Sequence, residues 1–369
     1  MDVILMIVYG TIVLGLLVFI HEGGHYLASR AFGVRVSEFM LGLPGPSIGF
    51  KHGETRFGVT CVPLGGYARV CGMEPGEIHP HLKSALAALF LRGSATAEQI
   101  ADDLHISADD AEEALVELVE WGSAVGPKRK DAVQAYKAME VTPTKKQIRD
   151  AERAGRAVPR PYALGEPREV ADAEALYQSE FKQQYRSLPF WKRTIILLAG
   201  ITVNLLFAIL AFIFIYSVIG FDYETASGEI THVTVDPLRS IQAGFTYIGM
   251  VFQAVVSLFN PATAAETVSN SASVIGIAII SKSAAEQGIV ALLEFTAMIS
   301  VSLGIMNLIP IPPLDGGRFV VEIYQKIARR AISLRALNGL SIAGVALFLG
   351  LFVIMVGQDI QRIFTGFWG

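Results

Sequence analysis

The chain has 369 residues, of which 52% are hydrophobic and only 17% are charged, and its mean hydropathy is +0.47. Soluble domains carry about a quarter charged residues, so this composition excludes an ordinary soluble protein and indicates an integral membrane protein. The net charge of −4 gives no electrostatic basis for a nucleic-acid partner. Two cysteines, Cys61 and Cys71, are too few for a disulfide framework, and their spacing fits neither a zinc ribbon nor a redox CxxC motif.

The first element is an apolar run, Val3–Ile20, that leads directly into the sequence HEGGH at 21–25. The run has no basic leader and no small-residue cleavage site, so it does not resemble a typical signal peptide. Its length matches the ~20 residues that a transmembrane helix needs. Arg30 and Arg35 follow, and by the positive-inside rule they place this end of the helix in the cytoplasm.

The HEGGH sequence has the spacing of a metal site. On a helix His21 and His25 are one turn apart and share a face, so both imidazoles can reach one metal ion. Glu22 lies beside that face, where it could take a proton from metal-bound water. The alternative is chance, because the pattern also occurs in soluble chains without a metal. Histidine and glutamate are costly at a membrane, which favours a functional role.

Residues 34–70 change to short apolar and β-branched runs broken by turn residues at 43–46, 52–54 and 64–66. This pattern predicts a small β-hairpin or sheet close to the membrane, with strands at Arg56–Thr60 and Tyr67–Val70. Two interpretations stay open: a structural cap over the helices, or an edge strand that captures an extended substrate by β-addition.

Residues 77–186 are polar and predict a soluble insert. Leu82–Leu91, Ala97–Leu104 and Ala108–Trp121 have helical spacing, with Ser107 as an N-cap, and the arrangement resembles a winged-helix module. The last of these helices is rich in Asp and Glu, so it repels phosphate, and we expect no nucleic acid to bind. A cytosolic protein partner and a plain packing domain both remain open. The basic stretch at 128–160 fits a solvated linker or contact with anionic lipid.

Three more spans follow the insert: Thr194–Ile219, Ala291–Ile309 and Leu337–Val356. Ile241–Phe259 is also apolar. If it crossed the bilayer, however, Asp315 would lie on the opposite side from the HEGGH histidines, and the basic loop at 326–335 would be external. We therefore interpret Ile241–Phe259 as a helix that lies at the interface or re-enters it.

Asp315 supplies the ligand that two histidines lack, since a catalytic zinc usually has three protein ligands and an open position. It is acidic, lies at a membrane boundary on the same predicted side, and precedes Gly316-Gly317, which allow close backbone approach. The alternatives are a helix cap or a salt bridge to Arg318. In the second span, Asn204 either joins helices by a hydrogen bond or presents its amide to a polar site.

Three ordered motifs now resemble one family: HEGGH, AGITVN at 199–204 and NLIPIPPLDGGR at 307–318. They resemble the site-2 protease family of intramembrane zinc metalloproteases, and most closely its bacterial RseP-like branch, over about 1–75 and 190–369. The resemblance implies that His21, His25 and Asp315 bind one Zn²⁺ per chain and that Glu22 is the general base. It also implies that Asn204 positions the substrate or stabilises the oxyanion.

The resemblance further implies hydrolysis of peptide bonds in or near the transmembrane segment of single-span membrane proteins, such as anti-sigma factors or remnant signal peptides. The expected location is the bacterial inner membrane, as a multi-pass protein with the active site toward the cytoplasm. That branch normally carries PDZ domains between its second and third spans, but here the polar segment at 220–240 is far too short for one. A zinc-binding scaffold or pseudoprotease is the alternative function, and a transporter is a weaker one because no inverted repeat is visible.

The predicted fold is mainly α. It is a polytopic membrane protein, with the lipid bilayer as a partner. It has about four transmembrane helices, a small membrane-associated β-hairpin or sheet and an inserted soluble helical, winged-helix-like domain on the cytoplasmic side. The predicted segments are the first span (1–33), the β region (34–76), the soluble insert (77–186), the second span (187–220), an extracytoplasmic or interfacial segment (221–288) and the last two spans with the Asp315 motif (289–369).

Overall fold

The computed structural model describes residues 2–62, 65–74, 76–128, 130–143, 145–155, 158–224, 228–330 and 332–366. Leu64, in the predicted turn at 64–66, lies outside these residues. The fold is mainly helical with small sheets, as predicted, and both cysteines are free thiols.

Four helices within the described residues are long and apolar enough to cross a membrane, which confirms the predicted number. The second continues into a π-helical turn at Phe214–Ile219, and the fourth extends beyond the predicted 337–356 at both ends. They are α1 (Asp2–Ala31), α7 (Phe190–Ile213), α11 (Ile289–Asn307) and α13 (Leu334–Phe364).

Close packing joins the first three of these helices. A Cβ added at Gly24 of α1 would lie 2.6 Å from the carbonyl oxygen of Ala199 in α7, so glycine is what lets the two backbones approach. The other side of α7 packs on α11 through a small cluster that includes Ala208, Ala297 and Val301, all 0% exposed. In contrast, α13 is largely exposed; its backbone meets the loop at Pro312 through Gly344.

A four-stranded sheet follows α1, in the order β2-β3-β1-β4. Its central pair, β1 and β3, is parallel, so of the two predicted forms, a hairpin or a sheet, the region is a sheet. Tyr26 of α1 contacts the rings of Phe39 and Phe57, which fixes the sheet against the helix. The strands are β1 (Val36–Leu41), β2 (Ser47–His52), β3 (Thr55–Thr60) and β4 (Gly66–Val70).

The insert has its own hydrophobic core around the fully buried Trp121. The predicted helices form, and Ser107 caps the third by accepting a hydrogen bond from the Asp110 N–H. Three short strands pair in the order β5-β7-β6. The elements are α2 (Leu82–Arg92), β5 (Ser94–Ala95), α3 (Ala97–Leu104), α4 (Ala108–Glu120), β6 (Ala124–Val125), β7 (Tyr136–Ala138), α5 (Lys145–Arg153), α6 (Ala173–Phe181) and a 3₁₀ turn (Tyr185–Ser187).

Arg35 joins the insert to the membrane part. Its guanidinium donates to the Glu180 carboxylate at 2.8 Å, to the Trp121 carbonyl at 3.2 Å and to Gln183 Oε1 at 3.0 Å. It is 8% exposed, and burial alone would lower the pKa of Arg35. The charge and hydrogen bond of Glu180, together with the Glu54 charge, outweigh burial and raise the pKa. The insert is therefore held by a buried ion pair as well as by its two chain connections.

Between α7 and α11 the described residues form a hairpin and three helices. The longest, α8, packs along both α7 and α11 but is not among the four candidate spans. The elements are β8 (Phe221–Glu224), β9 (Ile230–Val233), α8 (Pro237–Ser257), α9 (Ala264–Ser269) and α10 (Val274–Gln287); after α11 comes α12 (Asp315–Ala328).

Candidate metal centre

Three donor atoms converge where α1, α7 and α12 meet. His21 Nε2 and His25 Nε2 lie 3.0 and 3.1 Å from Asp315 Oδ2, and 3.3 Å from each other. Both histidines are 7% exposed, so the donors are shielded from bulk solvent. Among the described residues this is the one group of three or more His, Cys, Asp or Glu side chains with metal-binding spacing.

The donor set fits zinc. Two imidazole nitrogens and one carboxylate oxygen are ligands that zinc accepts. In tetrahedral coordination with zinc–donor distances of about 2.0–2.1 Å, the donor atoms lie about 3.3 Å from one another. The measured separations of 3.0–3.3 Å are close to that value. Three protein ligands leave a fourth position open, which is the pattern of a catalytic rather than a structural site.

Glycines make room for this centre. A Cβ at Gly200 of α7 would clash with the Nε2 atoms of both histidines, so only glycine leaves the space between the rings open. Cβ atoms at Gly316 and Gly317 would clash with the backbone of the 308–312 loop. The close backbone approach predicted for these two glycines is thus present, and it brings Asp315 to the histidines.

His25 is oriented by the backbone of α7. Its Nδ1 lies 2.8 Å from the Ile196 carbonyl oxygen, which can only accept, so Nδ1 carries the proton. Nε2 then has a free lone pair, which faces the point where the three donor atoms converge, as a metal ligand requires.

His21 is oriented by Asn204. The amide nitrogen of Asn204 is 3.3 Å from His21 Nδ1, while Asn204 Oδ1 is buried without a hydrogen-bond partner among the described residues. Amide oxygen and nitrogen are interchangeable by a 180° rotation. With Oδ1 toward the ring, it accepts the Nδ1 proton, and Nε2 is free to bind a metal in the same tautomer as His25.

Glu22 is held by the edge strand β4. Its Oε2 accepts a hydrogen bond of 2.8 Å from the Ala68 N–H. A cavity of about 230 Å³ opens beside it, lined by His21, Asp315 and Gly66. The side chain next to the candidate metal ligands therefore borders an open cavity.

Asn307 also lines this cavity, whereas Asn204 is fully buried behind His21. The sequence pointed to Asn204 and gave no role to Asn307. The available signal was its place in NLIPIPPLDGGR, eight residues before Asp315. Asn307 ends α11, and the loop that folds back from it to Asp315 has no local periodicity.

The alternatives for Asp315 can now be compared with the geometry. The predicted salt bridge to Arg318 is not formed: the Arg318 Nη1 lies 3.1 Å from the Met73 sulfur instead. Asp315 does begin α12, yet its carboxylate contacts the two histidines rather than the first turn of the helix. This geometry favours the ligand interpretation.

Comparison with known proteins agrees with this geometry. The model of peptidase family M50 matches residues 9–351. The zinc metalloprotease RasP of Geobacillus kaustophilus is 24% identical over 432 residues, covering 96% of this chain and 97% of the relative. The regulator of sigma-W protease RasP of Bacillus subtilis is 23% identical over 434 residues, with 96% and 97% coverage. The chain therefore belongs to peptidase family M50 and is a zinc metalloendopeptidase of the site-2 protease type.

Proposed function

We propose that this protein hydrolyses single-span membrane proteins in or near their transmembrane segment, on the cytoplasmic side of a bacterial inner membrane. The observation that carries the proposal is the convergence of His21, His25 and Asp315 beside Glu22, at the ends of apolar helices. Arg30, Arg35 and the basic loop at 326–335 support the cytoplasmic orientation.

We assign the metal to His21, His25 and Asp315. A zinc ion held there supplies a Lewis acid that polarises the scissile carbonyl and acidifies a water molecule. The Glu22 carboxylate accepts the proton of the attacking water and then delivers it to the leaving amine. The Ala68 N–H keeps one Glu22 oxygen fixed, which leaves the other free for this proton transfer.

Asn204 acts in this proposal through His21, by fixing the tautomer that binds metal. The alternative is that Asn204 acts directly, by positioning the substrate or stabilising its oxyanion. Asn307 is the amide that lines the cavity beside Glu22, so it is the better placed of the two to donate to a developing oxyanion.

We assign substrate capture to the edge strand β4. A transmembrane helix hides its carbonyls in hydrogen bonds and must unwind before hydrolysis, and β4 offers an unpaired edge next to Glu22. The opposite edge strand, β2, exposes Ile48 (88%) and Phe50 (67%). Such exposed apolar side chains support the assignment of 34–76 as a membrane-associated region.

The insert at 77–186 is assigned as a winged-helix-like module on the cytoplasmic side. The element order helix, strand, two helices, two strands, with the sheet order β5-β7-β6, supports this. Its third helix exposes four carboxylates: Asp109, Asp110, Glu112 and Glu113. We infer a protein-binding or gating role rather than a nucleic-acid one.

The remaining segments keep their predicted boundaries in this proposal, with spans at 1–33, 187–220 and 289–369 and an extracytoplasmic or interfacial part at 221–288. The name of the Bacillus subtilis relative, regulator of sigma-W protease RasP, supports anti-sigma factors as one substrate class. Remnant signal peptides are the second class that we propose.

The test is cleavage of a model single-span substrate by the purified full chain, with zinc content measured in parallel. The wild type should cleave and contain about one zinc; Glu22→Gln should keep the zinc and lose cleavage. Full cleavage by Glu22→Gln would refute the assignment of the base. Zinc without cleavage in the wild type would favour the scaffold, in which the metal only joins the helices.

A further inference from the structure

The insert carries a loop, residues 142–161, with an unbalanced positive charge. The loop contains six lysines and arginines but only two acidic residues. Its helix α5 spaces Lys145, Arg149 and Arg153 at intervals of four residues, so the three side chains follow one face of the helix. All three are exposed, and no hydrogen bond or ion pair joins them to another residue in the described part of the chain. This basic face is therefore available to an external anion.

The basic face is unfavourable for α5 on its own. Like charges four residues apart repel each other across one turn and destabilise a helix. The two acidic residues of α5, Asp150 and Glu152, are exposed and form no ion pair with the basic face among the described residues. Ala151 of the same helix is only 6% exposed, so α5 is packed on one side. An anion bound outside the helix would offset the repulsion that the chain itself leaves in place.

The two ends of the loop are held together beside the four-stranded sheet. Val141 and Tyr162 exchange two backbone hydrogen bonds of 2.9 Å and form the neck of the loop. Glu140, the residue before this neck, forms an ion pair with Lys51 near the end of β2. The loop therefore leaves the insert and returns to it next to the sheet, rather than on the far side of the insert.

The sheet sets the depth of this neck. Glu54, in the turn that follows β2, pairs at 3.2 Å with Arg30 in the last turn of α1. The turn is thus level with the end of the first span. At the same level the Phe32 ring contacts Trp191, at the start of the second span, with a centroid separation of 5.8 Å. Tryptophan is enriched at the bilayer interface, so we place the neck at the depth of the lipid headgroups.

The strand β2 changes character at this depth. Ile48 and Phe50 are largely exposed apolar side chains, whereas Lys51 and His52, which follow them, are polar. At about 3.3 Å per residue, Lys51 lies within about 10 Å of Ile48 along the strand. An apolar stretch that ends in a basic residue is the pattern of a segment that leaves the hydrocarbon for the headgroup region.

We propose that the loop at 142–161 binds the headgroups of anionic phospholipids in the cytoplasmic leaflet, through the basic face of α5. The inference rests on the proposed cytoplasmic orientation and does not depend on cleavage. An anionic leaflet attracts Lys and Arg close to its surface, and this attraction fades within about one Debye length, so the position of the neck decides whether it acts. The insert is then attached to the membrane part twice: by the buried Arg35 and by the lipid surface.

The test is hydrogen exchange of the full chain in nanodiscs, followed by mass spectrometry of peptides from 142–161. One set of discs contains phosphatidylcholine alone, and the other contains equal amounts of phosphatidylcholine and phosphatidylglycerol. We expect the loop to exchange about tenfold more slowly in the anionic discs, because the lipid contact must break before its amides open. High salt should remove this protection from the wild type, since it screens surface charge. Peptides from α3 are the internal reference.

Two double variants assign the protection to α5. Lys145→Glu/Arg149→Glu should exchange at the same rate in both kinds of disc. Lys128→Glu/Lys130→Glu makes the same change of charge at two other exposed lysines of the insert and should keep the wild-type protection. The zinc content of each variant checks that the metal centre is still folded.

Three outcomes would overturn the inference. They are equal exchange of the wild-type loop in the two kinds of disc, equal loss of protection in both double variants, and protection in phosphatidylcholine discs by added inorganic phosphate or RNA. The last result would assign the basic face to a soluble anion. Cleavage is not measured in this experiment, so a failure of the proposed hydrolysis is distinguishable from a failure of lipid binding.

Discussion

The Glu22 carboxylate and the Ala68 backbone N–H are joined by a 2.8 Å hydrogen bond across 46 residues of sequence. One partner belongs to the helix that carries the candidate histidine ligands and the other to the free edge of the sheet. The Ala68 N–H points away from β1, so it takes no part in the strand pairing. The sheet therefore positions the candidate base directly.

Replacing Ala68 by proline tests this contact. Proline removes the N–H but breaks no strand pairing, because β4 is an edge strand that tolerates it. A hydrogen bond to a charged group contributes about 1.5–3 kcal/mol, so we expect kcat to fall about tenfold or more with KM little changed. Ala68→Gly keeps the N–H and should stay near wild type. A rise in KM alone would show that this N–H serves the substrate instead.

Asn204→Leu tests the partner of His21. The variant keeps the volume but cannot accept the Nδ1 proton, and loss of such a partner weakens metal affinity about 10–100-fold. Competition with a chelator measures it. Asn204→Asp should retain affinity, since a carboxylate only accepts, and Thr202→Val, whose hydroxyl bonds within α7, is the control. Normal zinc affinity with reduced kcat in Asn204→Leu would favour an oxyanion role.

The grouping of the three candidate metal ligands could largely be predicted from sequence, because the residues that determine it are close neighbours or lie at the ends of recognisable spans. Helical spacing places His21 and His25 on one face, and span parity brings Asp315 to the same side. The Ser107 cap and the bounds of α3 are likewise set by neighbouring residues. Arg35 shows the limit of such prediction. From the sequence it has only a topological role, whereas its partly buried hydrogen bond to Glu180 joins residues 145 positions apart.

Other features depend on tertiary packing alone. The parallel pairing of β1 with β3 has no periodic signal, because a hairpin and a mixed sheet use the same turn residues. A cavity of about 750 Å³ exists only because β4, α4, α12 and α13 meet. In the sequence, Asn204 and Asn307 look alike, because each is an asparagine in an apolar span. Only the packing of α7 and α11 decides that Asn307 lines the cavity and Asn204 is buried.

The two adjacent glycines of HEGGH should respond differently to alanine. At Gly24 an added Cβ would lie 2.6 Å from the Ala199 carbonyl oxygen and 2.7 Å from Val203, whereas at Gly23 nothing lies within 4 Å. Gly24→Ala should push α1 from α7 and reduce zinc binding at least tenfold. Gly23→Ala should bind zinc as wild type does and gain up to about 1 kcal/mol of helix propensity. Equal zinc content in both variants would contradict this packing.

Arg35→Ala should loosen the insert. The change leaves the Glu180 carboxylate buried without its cation, and breaking such a pair costs about 3 kcal/mol. Limited proteolysis at 77–186 and the unfolding midpoint measure the effect. Arg30→Ala removes an exposed pair with Glu54 and should cost no more than about 0.5 kcal/mol. Equal protease resistance in the two variants would show that the insert is held by its chain connections alone.

The last prediction concerns pH. Burial and the charges of Glu74 and Glu117 raise the pKa of Glu120 to about 7, against the opposing Arg186, while an unfolded glutamate has a pKa of about 4.3. Between these values the folded protein holds the proton more tightly than the unfolded chain, so stability falls as pH rises from about 4.3 to 7 and is then constant. Glu120→Gln removes this dependence. The variant should therefore become progressively more stable than wild type over that window, measured by its unfolding midpoint, while Glu112→Gln keeps the wild-type profile. An unchanged difference between pH 4.5 and 7.5 would mean that Glu120 has the same pKa in the folded and in the unfolded chain, and would contradict the raised pKa.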